Sequence, residues 1–262
     1  MANDWFRRFG PASDSDTRLF CFPHAGGAAS AYLALSQELT PEFDVLSVQY
    51  PGRQDRRMEP AVDDIGRLVT ALADELAAGS TLGPGRRGDD RPYAFFGHSM
   101  GAVLAYELTR ELDRRGLPAP ERLFLSGRFA PTPLGSASDR LDTDEKVIAM
   151  IRTLGGTVGK VFDDPDLLEM VMPPLRADYK AIGSYAWQPG RPLDVPFTVL
   201  VGDRDPVVPV EDAAAWRVHT AAGSDVRILP GGHFYLDHSV PQVAAVIRAA
   251  LHRRGASALG AA

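Results

Sequence analysis

Hydrophobic and polar positions fall into two alternating regimes along the chain. Short, nearly solid apolar runs at residues 18–23, 43–48, 93–96, 123–126, 197–201 and 226–229 predict strands, that at 18–23 a buried one. Between them, apolar residues recur at helical spacing. Ile65, Leu68, Val69, Leu72 and Leu76 predict an amphipathic helix over 62–77, and Val103, Leu104, Leu108 and Leu112 give an apolar side to a helix over 102–115. Residues 31–39, 211–221 and 240–253 predict three more helices. Strands alternating with helices at this spacing predict an α/β fold, a mostly parallel central sheet covered by helices on both faces.

One region breaks the alternation. Residues 141–185 contain no convincing strand, only helix-like pieces around 144–154 and 166–179, interrupted by Gly155-Gly156 and Pro173-Pro174. An insertion of this length between two strands predicts a helical lid on a single domain spanning 1–262; extra core helices would give the same periodicity. Two stretches look loose, the Gly- and charge-rich 79–90 and the small-residue tail 255–262.

Composition narrows the function classes. An apolar share of 45% with 24% charged residues fits a soluble chain able to bury a sizeable core, and a net charge of −6 argues against a general nucleic-acid binder. No apolar run reaches membrane-spanning length, and residues 1–9 lack a signal-peptide core. The single cysteine, Cys21, excludes an internal disulfide and suits the cytoplasm; lying between Phe20 and Phe22, it reads as buried filler. No exposed apolar stripe stands out, so a monomer is expected.

The chemistry concentrates at strand ends. Gly97-His98-Ser99-Met100-Gly101 is a G-x-S-x-G sequence between a strand and a helix, the setting of a nucleophile elbow. Small residues at 97 and 101 let the backbone pass close to itself, which lifts Ser99 Oγ above the sheet at a helix N-terminus. A serine hydroxyl needs a base and a group to orient that base. After the strand at 197–201 comes Gly202-Asp203-Arg204-Asp205-Pro206; after that at 226–229 comes Pro230-Gly231-Gly232-His233. His233 is the expected general base. Asp205 is the expected orienting carboxylate, preferred over Asp203 because Pro206 holds it extended. The loop after the preceding strand, Ser126-Gly127-Arg128-Phe129, offers no rival carboxylate. His24 and His98 precede the acid in sequence, and His219, His238 and His252 sit on or beside helices. An oxyanion hole is expected from the backbone N–H groups of Met100 and Ala25, the latter in the Gly-rich loop Pro23-His24-Ala25-Gly26-Gly27, where His24 could brace the turn.

With these residues assembled, the chain resembles the type II thioesterases of polyketide and nonribosomal peptide biosynthesis. The matching segments are Phe20 to Gly27, Tyr50-Pro51-Gly52-Arg53, Gly97 to Ala102, Leu125 to Arg128, Leu175-Arg176-Ala177-Asp178-Tyr179, Gly202 to Asp205 and Gly231 to Phe234. The resemblance implies an α/β-hydrolase fold with a helical lid and hydrolysis of acyl thioesters on acyl or peptidyl carrier proteins, clearing stalled or misprimed chains. It implies no metal and no cofactor beyond the phosphopantetheine the substrate carries, and no nucleic-acid or membrane partner. A carboxylesterase or lipase could share the triad, and a non-catalytic binding protein could share the fold. Arg53, Arg56, Arg57, Arg86 and Arg87, in two loops, are candidate docking residues for an acidic carrier.

Overall fold

The structure is a computed structural model that describes residues 5–11, 15, 17–78, 91–133, 135–155 and 164–258. The expected loop at 79–90, with Arg86 and Arg87, Gly156 and the last four residues lie outside these.

Seven strands form one sheet in the order β1-β3-β2-β4-β5-β6-β7. They are β1 (Phe6–Arg7), β2 (Arg18–Phe22), β3 (Asp44–Val48), β4 (Tyr93–His98), β5 (Leu123–Ser126), β6 (Phe197–Gly202) and β7 (Ser224–Leu229). All neighbours are parallel except β1, which pairs antiparallel with β3. The alternation within β2 divides the core. Phe20 and Phe22 point to the face covered by α2 (Ile65–Ala78) and α3 (Met100–Arg114), whereas Leu19 and Cys21 point to the face covered by α1 (Leu33–Leu39) and α7 (Val240–Ala258). Cys21 is a fully buried free thiol, and burial pushes its pKa up. Among the described residues no helix is long and apolar enough to cross a membrane.

The strand order reverses at β2. The chain passes from β2 to β3 on one side, then crosses to β4 on the other. In open α/β sheets the crevice at such a reversal, beyond the carboxyl ends of the strands, is where ligands bind. Here it is flanked by the loop after β2 and the turn after β4, and Phe22 pairs with Gly97, so Pro23-His24 and His98-Ser99 leave the sheet side by side.

The predicted elements appear with three corrections. β1 is added; two residues carry no period by which a sequence could announce them. The helix expected over 211–221 is α6 (Val210–Ala214) followed by a 3-10 turn, Ala215–His219. The break expected at Pro173-Pro174 is absent. After α4 (Asp144–Leu154), α5 runs unbroken over Pro165–Ser184, with Asp164 as its N-cap accepting from the N–H groups of Asp166 and Leu167. The two prolines withhold N–H groups from the carbonyls of Glu169 and Met170, and both residues are exposed, so water can replace those bonds. Burial along α5 follows its faces: Leu167 and Met170 are exposed, whereas Met172, Leu175, Asp178, Ala181 and Ile182 are buried.

Candidate active site

Ser99 occupies the turn between β4 and α3 with φ 55° and ψ −115°, a left-handed conformation that costs a non-glycine residue about 1–3 kcal/mol. It is the N-cap of α3, yet its side chain makes no capping bond. Its own N–H is spent on Ser126 O at 2.8 Å. The flanking glycines are there for close approach. A Cβ at Gly97 would lie 2.6 Å from Ala102 N, and one at Gly101 would lie 2.6 Å from Phe22 C and 2.8 Å from Pro23 O.

The other two predicted side chains come together. His233 Nδ1 donates to Asp205 Oδ2 at 2.8 Å, with side-chain exposures of only 3% and 0%. The second Asp205 oxygen accepts the N–H groups of Val207 and Val208 at 3.0 and 3.1 Å. Three donors therefore fix one buried carboxylate, and the N-cap of α6 is Pro209, so Asp205 is not a helix cap. Asp203 has different work: exposed, it accepts the Gly231 N–H at 2.8 Å and ties the acid loop to the histidine loop. Ser99, Met100, Ala25 and His233 all line one cavity of about 40 Å³, together with Phe129, Met150, Leu154, Ile182, Val207, Val208 and the buried ion pair Arg128–Asp139. Among the described residues no hydrogen bond joins Ser99 Oγ to the His233 ring, though both line the same cavity. A larger groove, about 590 Å³ between α2, α3 and the end of α5, contains none of these residues.

Ala25 and Met100, the residues expected to supply the oxyanion donors, both line this cavity. Met100 is the first residue of α3, so its N–H has no intrahelical acceptor. In the loop after β2, Gly27 N–H donates to His24 O at 2.9 Å. Because a trans peptide points its C=O and N–H in opposite directions, this turns the Ala25 N–H away from the loop interior.

Residues not assigned from sequence complete the surroundings. The His98 and His233 rings pack with centroids 5.0 Å apart, and His98 Nδ1 meets Ser126 Oγ at 2.8 Å, which in turn bonds Tyr235 OH. Each hydroxyl can donate once if the relay runs from Tyr235 to Ser126 to His98 Nδ1, which leaves the His98 proton on Nε2. Burial holds His98 well below the ordinary histidine pKa and His24 at about 4, so both rings stay neutral beside His233.

Of the described arginines expected to greet a carrier, Arg53, Arg56 and Arg57, two are internal. Arg53 is buried in a bidentate pair with Asp178, and Arg56 is buried over the Trp5 ring while it bonds Glu59 and Gln49 O. Guanidinium groups on a loop that folds back on itself find partners there before any other protein does. Arg57 alone of the described members of the cluster is exposed.

Comparison with known proteins agrees with this architecture. A family model of the thioesterase domain matches residues 17–251. The chain is 44% identical to thioesterase PikA5 of Streptomyces venezuelae over 89% of its own length and 80% of that protein's. It is 41% identical to a thioesterase of cadicidin biosynthesis from Streptomyces griseus, covering 95% of this chain and 66% of that one. The solved structure of BorB, a type II thioesterase from the borrelidin cluster, superposes with a TM-score of 0.80 at 39% identity, covering 94% of this chain and 97% of that one. With seven strands, an elbow serine and relatives of this kind, the chain belongs to the thioesterase family, in its type II group, and has the α/β-hydrolase fold.

Proposed function

We propose that this thioesterase hydrolyses acyl groups from the phosphopantetheine arms of acyl or peptidyl carrier proteins, with Ser99 as nucleophile, His233 as general base and acid, Asp205 as the carboxylate that orients it, and the Ala25 and Met100 N–H groups as oxyanion hole. The observation that carries the reading is the buried His233–Asp205 pair facing an elbow serine whose side chain is committed to no structural bond.

In this reading the acyl thioester enters beneath α4 and α5, which serve as the lid. His233 Nε2 takes the Ser99 proton as Oγ attacks the carbonyl carbon. The two N–H groups, with the N-terminus of α3 behind one of them, stabilise the tetrahedral oxyanion by a few kcal/mol each. Collapse breaks the C–S bond, and the pantetheine sulfur takes the proton from His233. Water, deprotonated in turn by His233, attacks the acyl-serine; Oγ leaves with that proton and a carboxylic acid is released. His233 takes and returns one proton in each half-reaction, acylation and deacylation, so the sequence balances without a metal or redox partner. We place the enzyme in the cytoplasm, acting as a monomer to clear stalled or misprimed chains.

The test is turnover of acyl-carrier and acyl-pantetheine thioesters beside oxygen esters of the same acids, with fluorophosphonate labelling. Thioester preference, labelling at Ser99, and loss of turnover in Ser99→Ala with carrier binding retained are expected. Preference for oxygen esters, or an active Ser99→Ala, refutes the proposal.

A further inference from the structure

The insertion reaches the catalytic centre through one buried carboxylate. Asp178, in the second half of α5, is completely buried, and burial raises its pKa while Arg53 pulls it back. Its Oδ2 accepts the Gly26 N–H at 2.7 Å and Arg53 Nη1 at 2.9 Å, and its Oδ1 accepts Arg53 Nη2 at 2.8 Å. Arg53 Nη1 also donates to Gly27 O at 3.2 Å, and the guanidinium lies 5.0 Å from the centroid of the Tyr50 ring, whose hydroxyl donates to Pro23 O. Leu175, one turn earlier on α5, closes over the same loop: a Cβ at Gly26 would come within 3.0 Å of its Cγ. A carboxylate so placed costs several kcal/mol of desolvation, which bidentate pairing only partly offsets; a hydrophobic pair could fill the space more cheaply. What a hydrophobic pair could not do is hold the Gly26 N–H.

We propose that Asp178 is a positioning residue for the oxyanion loop: anchored by Arg53, its carboxylate clamps the Gly26 N–H and so sets the direction of the Ala25 N–H. The two peptide planes flanking Ala25 are then both gripped, one by the bond from Gly27 N–H to His24 O and the other by Asp178. This inference rests on the functional reading above, in which the Ala25 N–H serves the oxyanion.

The experiment is the full chain carrying Asp178→Asn, assayed with an acyl-pantetheine thioester and normalised to active sites by the end point of fluorophosphonate labelling. Asn keeps the shape but has one acceptor oxygen for the three N–H donors that the carboxylate holds and turns an amide NH2 toward the rest, so the grip on Arg53 and Gly26 is weakened. Deleting an oxyanion donor costs about 10²–10³ in kcat, so misaiming one should cost about 10–100-fold. KM should move less than about threefold, and the Ki of a trifluoromethyl ketone analogue, which forms a tetrahedral adduct with Ser99, should rise in parallel with the loss of kcat. A merely structural role would lower Tm and the active fraction but leave normalised kcat and Ki unchanged, and that result overturns the proposal. Arg53→Lys keeps the bond from Gly26 to the carboxylate with a weaker anchor. It should fall between wild type and Asp178→Asn, and it supplies the same readings if Asp178→Asn does not fold; unchanged normalised kcat and Ki in Arg53→Lys then overturn the proposal. Ser99→Ala, run alongside, separates the two levels. If it remains active, the assignment of the nucleophile fails; if it is dead and the clamp variants are unaffected, only the clamp fails.

Discussion

Gly101→Ala adds a single methyl group where, among the described glycines, the backbone crossing is tightest. The added carbon would meet the Phe22 carbonyl, 2.6 Å from its carbon, and would lie 2.8 Å from Pro23 O, where real Cβ atoms essentially never come within 3.0 Å. The obstacle is backbone at the end of β2, hydrogen-bonded to β3 on one side and β4 on the other. No rotamer change can relieve it, so α3 or β2 must move. Overpacking that side chains can absorb costs about 1–3 kcal/mol; here we expect about 3 kcal/mol or more, a large share of the 5–15 kcal/mol typical of a domain. Phe22 and Pro23 lead directly into His24-Ala25, so the displacement should also reduce kcat/KM of whatever folds. Gly116→Ala is the control. Its φ of +66° strains a side chain by about 1–2 kcal/mol, yet a Cβ there meets nothing within 4 Å. Urea denaturation followed by circular dichroism, with kcat/KM on an acyl-pantetheine thioester, should rank Gly101→Ala far below Gly116→Ala in both stability and activity. A Gly101→Ala protein within about 1 kcal/mol of wild type would refute the close crossing and, with it, this account of the elbow.

Other outcomes follow from the same geometry. Asp205→Asn replaces the acceptor of His233 Nδ1–H and should lower kcat by about 10²–10⁴ with little change in KM, measured by steady-state kinetics. Acidification should destabilise the fold above the carboxylate range. His98 and His24 have depressed pKa values in the native state, so the unfolded chain binds more protons once pH falls below 6.5. Each such histidine withdraws up to about 1.4 kcal/mol per pH unit on the way down to its native pKa, and His24, only half-buried, should give less. Urea midpoints at pH 7, 6 and 5 should fall, and His98→Asn should flatten the trend; a parallel trend in that variant would contradict it. Met150→Ala, which widens the cavity wall, should shift the acyl-chain optimum toward longer chains across a panel of thioesters. Arg57→Glu tests what remains of the docking idea: KM should rise for acyl-carrier substrates and stay level for acyl-pantetheine.

How much of this was legible in the sequence depends on how far apart the cooperating residues are. The strands announced themselves by short apolar runs, which in β2, β4, β5 and β6 are buried on both faces, while β7 leaves Arg227 and Ile228 exposed. Ser99, Asp205 and His233 could be placed because each follows such a strand directly, so the topology alone brings them to one edge. Asp178 and Arg53 were visible only as letters in matching segments. They are 125 residues apart, one on a helix of the insertion and one on a loop, and no local periodicity links them. Counted as charges near the surface, the arginines looked available to a partner; paired, Arg53 is part of the interior. The same holds for Ser126 and Tyr235, whose contact with His98 depends on neighbouring strand ends converging. Sequence pattern thus finds groups that the sheet delivers, and misses groups that reach the site by pairing across it. For the reaction the second kind matters as much. A triad can be aligned by three strand ends, but the oxyanion donor lies on a loop with no regular structure of its own, and what holds that loop is a charge brought from the far side of the chain.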